Sequence, residues 1–197
     1  MPNWCDNELV IQTTLKGHPS ERRLHKEELK RFVKFARDKN VHDEDLVTDK
    51  FIPYPKRFYE SDKRSAKHSE KIRKATEHIT DPKERDKIVK KMGGWHLKDG
   101  FNDGGYDWCL RNWGTKWGIC HSKLIDTNFD IGKALYRFDS AWSPPTPVIH
   151  KMSLMFPNLT FTLKYWECGC AFKGTYKAQN GNIIKDVSSH YTGGRGG

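Results

Sequence analysis

Two segments in the C-terminal half alternate apolar and polar residues, and they constrain the fold more than any other feature of the chain. They are Lys133–Ala141 and Leu159–Glu167. Their apolar positions are Ala134, Tyr136 and Phe138 in the first segment and Leu159, Phe161, Leu163 and Tyr165 in the second. A period of two places alternate side chains on opposite faces of a strand. Each segment therefore predicts a strand in a sheet with one buried face.

Helix and turn signals around these two strands complete the order of elements. The further predicted strands are Asn7–Thr14, Trp117–Ile125, Phe172–Ala178 and Asn182–Val187, and the predicted helices are Ser20–Lys39 and Val148–Phe156. Asn180-Gly181 joins the last two strands and is typical of a tight β-hairpin. The order β-α-insert-β-β-α-β-β-β predicts an α+β fold, a ferredoxin-like split βαβ antiparallel sheet with a basic helical insert and a C-terminal β-hairpin.

This order divides the chain into four parts. Residues 1–46 supply the first strand and helix of the ferredoxin-like domain, and residues 47–105 form the helical insert. Residues 106–192 complete the sheet, and the glycine-rich residues 193–197 are expected to be a flexible tail.

The positive charge of the chain is concentrated in the insert. Between Lys56 and Lys98 there are fourteen Lys or Arg residues and seven Asp or Glu, a net of +7 out of +10 for the whole chain. Large apolar residues are scarce there, so the segment suits solvated helices better than a core. One helix is predicted over Ser61–Ile79. A second is predicted to start at Asp81-Pro82, with Asp81 as the N-cap, and to end before Gly93-Gly94.

One face of the first insert helix is strongly basic. At 100° per residue, the side chains that fall on or beside this face are Lys63, Arg64, Lys67, Lys71, Arg73 and Lys74. Glu70 and Glu77 interrupt the face and are expected to pair with part of it. The sequence leaves three interpretations open: a solvated surface, a surface that follows a phosphate backbone, or a docking surface for an acidic protein.

The start of the chain, its apolar runs and its cysteines indicate the cellular compartment and the expected cofactors. The start of the chain lacks the basic and apolar regions of a signal peptide, and no apolar run approaches the roughly 20 residues that span a bilayer. Five cysteines are an odd, scattered set, which suits a reducing cytoplasm better than a disulfide framework. No cofactor is expected, and the Cys168-Gly169-Cys170 pair lacks the spacing of a structural zinc site.

Three segments rich in tryptophan form a signature. They are Tyr106-Asp107-Trp108-Cys109, Asn112-Trp113-Gly114-Thr115-Lys116-Trp117-Gly118 and Ala141-Trp142-Ser143-Pro144-Pro145. Together with the opening residues 2–7, residues 51–55, residues 165–167 and residues 172–174, they resemble the YubB-like family of uncharacterised phage and plasmid proteins. This resemblance implies a ferredoxin-like fold and a mobile-element origin. It implies no catalytic residues.

The signature has two interpretations. In the first, Trp113, Trp117 and Trp142 fill the core, and Lys116 pairs with an acid, for which Glu167 is the candidate. In the second, an exposed indole of this cluster stacks on a base. The first interpretation is preferred because tryptophan and proline clusters belong to packing more often than to sites.

The sequence contains no set of residues with the spacing of a known catalytic site. The nine histidines have no spacing that links one of them to a nucleophile, and no glycine loop of a phosphate-binding kind is present. Lys116, His121 and Glu167 are the best candidates if the protein is an enzyme acting on nucleotides or RNA.

The expected function is therefore that of a non-enzymatic phage or mobile-element accessory protein. It would bind nucleic acid, DNA or RNA, or a host protein–nucleic-acid complex, and the mobile-element resemblance makes action against host defence a natural context. One alternative is a protein-binding inhibitor of a host antiviral factor that does not touch nucleic acid. The other is the nucleotide- or RNA-processing enzyme.

Overall fold

A six-stranded antiparallel sheet carries most of the chain in the computed structural model, which describes residues 3–13, 18–38, 40–41, 43–95 and 97–194. The strands are β1 (Trp4–Thr13), β2 (Ile119–Asn128), β3 (Lys133–Ala141), β4 (Leu159–Glu167), β5 (Phe172–Gln179) and β6 (Asn182–His190). The α-helices are α1 (Pro19–Ala36), α2 (Lys56–Thr76), α3 (Pro82–Lys91), α4 (Tyr106–Trp113) and α5 (Thr146–Met155). A short 3-10 helix spans Thr48–Lys50, and a turn in which Asp103 and Gly104 depart from helical geometry spans Phe101–Gly105.

The strand order is β2-β3-β1-β4-β5-β6. Strands β1 and β2 are parallel to each other with β3 between them, and β3 and β4 are parallel with β1 between them. These are two split βαβ arrangements, as predicted. The hairpin β5-β6 extends the sheet beyond β4. Its turn residues Asn180 and Gly181 have φ values of 49° and 71°, the two positive values that a type I′ turn requires.

One face of the sheet is buried and the other is open. The buried face carries Leu9 and Ile11 of β1 and the alternating residues of β3 and β4, and Phe32 of α1 packs its ring against Tyr136 and Phe161. The open face carries the intervening residues, which include Asp6, Asp139 and Trp166 in one row across three strands. The register therefore brings together polar and aromatic side chains that are far apart in the sequence.

The chain divides into two compact units. The main unit comprises Met1–Pro53 and Cys109–Gly197, and the second unit comprises Tyr54–Trp108. The insert was predicted over residues 47–105, but residues 47–53 belong to the main unit, and residues 106–108, predicted as part of the ferredoxin-like domain, belong to the second unit. For residues 47–53 the reason is burial: Phe51 stacks on Phe32, and the buried Thr48 hydroxyl accepts a hydrogen bond from the Ile119 N–H.

The second unit has a thin apolar core, as the sequence indicated. Its fully or nearly fully buried apolar side chains are Phe58, Ile72 and Val89. Asp81 caps α3 by accepting from the Lys83 N–H at 3.0 Å, with Pro82 as the first helical residue, and Gly93 and Gly94 follow the helix with positive φ. Gly100 has no room for a side chain, because a Cβ there would lie 2.3 Å from the Phe58 carbonyl oxygen.

Several predicted features lie outside the described residues. They are Thr14 at the end of the first predicted strand, Lys39 at the end of the first predicted helix, Pro2 of the opening segment and the last three residues of the tail. Among the described helices, none combines the length and the apolar character needed to cross a bilayer.

Candidate functional sites

One face of α2 is tied to the segment that follows α3. Four side chains of α2 bond to backbone carbonyls or N–H groups there: Ser65 donates to Leu97 O at 3.0 Å, Ser69 donates to Trp95 O at 3.1 Å, the His68 imidazole bonds to Gly94 O at 2.8 Å, and Asp62 accepts from Phe101 N at 2.8 Å. Ile72 is buried on the same side. These contacts fix which face of α2 is turned inward, and the opposite face remains in solvent.

The predicted basic residues lie on or beside that exposed face. Helical geometry places Lys63, Lys67 and Lys74 directly opposite Ser65 and Ile72, and all three are exposed. Glu70 lies among them and binds Arg73 through two contacts of 2.8 Å and Lys74 at 3.6 Å. The bonds from Arg73 lower the pKa of Glu70 to about 2. Arg73 and Lys74 are therefore partly neutralised within the helix, as the sequence led us to expect for part of the face.

The other acids of α2 are engaged too. Glu60 pairs with Lys56 at 3.6 Å, and Asp62 accepts the Phe101 N–H. Within the described part of the chain, Lys63, Arg64, Lys67 and Lys71 have no ion pair with an acid, although Lys63 lies 5.9 Å from the centre of the Tyr59 ring and Arg64 donates to Ser61. These four cations are the part of the basic face that is available to an external anion.

The signature tryptophans do not share one environment. Trp113 is buried, at 8% exposure, and its indole N–H donates to the Ile52 carbonyl at 2.8 Å. Trp117 and Trp142 are 41% and 45% exposed, so the prediction that all three fill the core is wrong for these two. Trp117 lies between the end of α4 and the start of β2, and Trp142 follows the last residue of β3 with a φ of 73°.

Glu167 does not act as the predicted partner of Lys116. Its carboxylate is 2% exposed and accepts hydrogen bonds from the backbone N–H groups of Gly169, at 2.7 Å, and Cys170. Glu167 thus closes the turn between β4 and β5. Lys116 lies over the ring of its neighbour Trp117, 4.7 Å from the ring centre.

His121 has a partner that sequence spacing did not reveal. Its Nδ1 lies 2.9 Å from Asp139 Oδ2, and its ring lies edge-on to Trp4 with centroids 5.1 Å apart. The backbone at His121 has a φ of 54° at a bulge of β2, and Glu44 holds it by accepting from the His121 N–H at 2.7 Å and from Ser122. His121 thus pairs with Asp139, whereas the Glu167 carboxylate bonds the backbone of its own turn.

Asp6 lies beside Asp139 on the open face and opposite Trp166 on its other side. Desolvation by burial, followed by the negative charge of Asp139, raises the pKa of the Asp6 carboxyl above 3.8. Neither aspartate was singled out from the sequence. The signal that could have found them is the alternation itself, which assigns both residues to the open face once the register of β1 and β3 is known.

The raised pKa of Asp6 predicts a change in the pH dependence of stability. The folded protein holds this proton more tightly than the unfolded chain does, so the stability that Asp6 contributes is fully present below pH 3.8 and is lost as the pH rises through the folded pKa. Asp6→Asn should therefore raise the free energy of unfolding at pH 7 and lose that advantage below pH 3.8. Urea unfolding between pH 3 and pH 7 measures this difference. Asp130→Asn, in the exposed turn between β2 and β3, is the control, and a less stable Asp6→Asn protein at pH 7 would contradict the assignment.

A groove opens on the other half of the open face, along β4, β5 and the end of β6. Its volume is about 350 Å³. The residues that line it are Lys164, Tyr165, Trp166, Lys173, Gly174, Thr175, Val187, Ser188, Ser189 and Tyr191. No cluster of three or more His, Cys, Asp or Glu side chains within the described residues is arranged to hold a metal ion, and all five cysteines are thiols.

Comparison with known proteins bears on the fold of the C-terminal part. Residues 120–193 match a family model described as the ferredoxin-like domain in Api92-like protein. The crystal structure of a protein api92 from Yersinia pseudotuberculosis aligns over 98% of this chain and 99% of its own, with 11% sequence identity and a TM-score of 0.45. No curated protein matches the chain.

The family match and the strand order together confirm the predicted fold class. They support the ferredoxin-like domain that the resemblance implied, whereas a relation to YubB-like proteins and a phage or plasmid origin stay predictions. From β2 to the end of the sheet, the chain is similar to the ferredoxin-like domain of Api92-like proteins.

Proposed function

We propose that this protein binds nucleic acid through the exposed basic face of α2. The observation that carries the proposal is the set of four cations, Lys63, Arg64, Lys67 and Lys71, that the acids of α2 leave uncompensated. The opposite face of the helix is held by hydrogen bonds to the 94–101 segment, so the basic face points to solvent without rearrangement.

Phosphate is the anion that fits this surface best. Lys63, Lys67 and Lys71 follow one another at intervals of four residues, or about 6 Å along the helix axis, so they form a row of positive charges that can lie along a phosphate backbone. A row of cations at that spacing contacts the backbone and does not read base sequence. The mobile-element resemblance supports a role in the cytoplasm of a bacterial host, where the bound nucleic acid or nucleoprotein would belong to a defence system.

The test removes the positive charges of the three lysines in this row. Lys63→Gln, Lys67→Gln and Lys71→Gln combined should weaken binding similarly for unrelated sequences, because interactions with phosphate carry no base information. The slope of log affinity against log salt should fall by roughly 0.7 to 0.9 for each lysine–phosphate pair that the variant cannot form, or about 2 to 2.7 for three pairs. Fluorescence anisotropy with labelled 20-nucleotide single strands and 20-base-pair duplexes, from 25 to 200 mM salt, measures both quantities. The melting temperature should not change, since the three side chains are exposed.

The matched control is a protein of the same net charge. Lys30→Gln, Lys98→Gln and Lys151→Gln remove three exposed lysines elsewhere, two of which are paired with Glu27 and Asp103. This control should keep most of the salt slope. Equal slopes in wild type and the α2 variant, or no binding by wild type at low salt, would contradict the proposal.

A contradiction would favour one of two alternatives. If the surface docks an acidic host protein, that protein should stay bound to the wild type, and fail to bind the α2 variant, after nuclease treatment of the host extract. If the protein is an enzyme, it should cleave labelled RNA or convert a nucleotide. His121→Ala, in which Glu167 is kept, should then abolish the reaction.

A further inference from the structure

The groove on the open face is built from two rows of side chains that the sheet register aligns. One row across β4, β5 and β6 is Trp166, Lys173 and Ser189, and the next row is Lys164, Thr175 and Val187. Tyr191 follows β6, and its N–H donates to the Ala171 carbonyl at 2.8 Å, which anchors it beside the start of β5. The groove therefore lies on hydrogen-bonded strands of the main unit.

The lining combines three kinds of group. Trp166 and Tyr191 supply aromatic rings, Thr175 and Val187 supply a largely apolar surface, and Lys164 and Lys173 supply two exposed ammonium groups. None of the ten lining residues is acidic. Glu8, which stands opposite Lys164 on the neighbouring strand, is itself engaged by Arg137 at 3.3 Å. The ten lining residues therefore carry two positive charges, and their aromatic rings are uncharged.

This chemistry selects a planar, uncharged ring that is attached to an anion. An indole and a phenol can stack on such a ring, and a lysine can contact the anion next to it. A nucleotide has both parts: the base is planar and carries no charge, and the phosphate lies a few ångströms away. Asp6, opposite Trp166 on β1, adds a carboxylate that can accept hydrogen bonds from the N–H groups of a base.

We propose that the groove binds one unpaired base, with the adjacent phosphate held by Lys164 or Lys173. The proposal rests on the proposed function for its premise of nucleic-acid binding and makes it more specific: the bound form is single-stranded. Bases in a duplex are stacked on one another and do not offer a face to an aromatic side chain, whereas those of a single strand do. The basic face of α2 contacts phosphates in either form, so only the groove distinguishes them.

The test uses two variants: Trp166→Ala, and a double variant that combines Lys164→Gln and Lys173→Gln. Each is compared with a control variant. Trp95→Ala removes a 38% exposed indole from the second unit, and Lys151→Gln removes an exposed charge from α5. The probes are a labelled 12-nucleotide oligouridylate, a 12-base-pair duplex and free uridine monophosphate. Trp166→Ala should weaken oligouridylate binding roughly 5- to 150-fold and leave duplex binding unchanged, and Trp95→Ala should change neither.

A measurement on the wild-type protein covers the case in which Trp166→Ala does not fold. The seven tryptophans give indole N–H signals in a nitrogen–proton spectrum, and Trp166→Phe identifies the signal of Trp166 by its disappearance. Oligouridylate should shift that signal and leave the signal of Trp95 in place. If uridine monophosphate shifts the Trp166 signal but the oligonucleotide does not bind, the groove recognises the base of a free nucleotide. That result would contradict the proposal that α2 binds nucleic acid.

Other outcomes would overturn the inference. Equal oligouridylate affinities for the Trp166→Ala and Trp95→Ala proteins would show that the groove takes no base. Binding of duplex alone, abolished by neutralising α2, would leave the proposed function standing and refute the groove. A wild-type dimer that Trp166→Ala converts to a monomer would show that a second copy of the chain covers the groove.

Discussion

Replacing Trp113 by alanine should lower the free energy of unfolding by about 3 to 5 kcal/mol. The ring is 8% exposed at the end of α4, and its N–H donates to the Ile52 carbonyl at 2.8 Å. Truncation removes the apolar surface of the largest side chain, leaves a cavity, and leaves a carbonyl oxygen without its donor. Urea unfolding followed by far-ultraviolet circular dichroism measures the loss, since that signal does not depend on the number of tryptophans.

Trp142→Ala is the matched control from the same signature. This indole is 45% exposed, so its truncation should cost about 1 kcal/mol or less. Its φ of 73° adds a second test, because Trp142→Gly removes the Cβ that this backbone conformation disfavours and should recover part of that loss. Similar losses for Trp113→Ala and Trp142→Ala would contradict the division of the signature into a buried and an exposed part.

The elements of the sheet could be predicted from the sequence because their signals are local. The limits of β3 and β4 agree with the alternation of Lys133–Ala141 and Leu159–Glu167, and the turn at Asn180-Gly181 forms where its residues indicated. A strand with one buried face must alternate, and a type I′ turn needs two residues that tolerate positive φ. Both requirements are visible in a few consecutive residues.

The contents of the candidate sites depend on interactions between distant residues, and local patterns do not record these. Glu44 holds the bulge of β2 from 77 and 78 residues away, and that bulge places His121 beside Asp139. Asp6 and Trp166 are neighbours only through the register of β1 and β4. Trp117 and Trp142 lie beyond the last residues of α4 and β3 and are exposed. Composition does not record where an element ends, so it favoured a buried environment for both residues.

The basic face of α2 was predictable for a different reason. Helical periodicity is short-range, so the positions of Lys63, Lys67 and Lys71 on one side followed from their spacing. Which cations remain unpaired did not follow from spacing alone, because Glu70 could pair with a lysine or an arginine on either side of it. In the structure Glu70 pairs with Arg73 and Lys74, and this leaves the N-terminal part of the face as the stronger attraction for an anion.

Glu167→Ala should destabilise the protein by about 3 kcal/mol, which corresponds to two hydrogen bonds to a charged acceptor at roughly 1.5 kcal/mol each. The carboxylate is 2% exposed, and the Gly169 and Cys170 N–H groups both donate to it, so alanine leaves two backbone donors of the β4–β5 turn without this acceptor. Glu167→Gln keeps one oxygen that can accept and should lose about half as much. Urea unfolding at pH 7 measures both losses.

If Glu167 were instead the partner of Lys116, then Lys116→Met would lower the free energy of unfolding as much as Glu167→Ala does, and the double variant would lose little more than either. We expect additive losses, because the lysine lies over the Trp117 ring while the glutamate is held by its own turn.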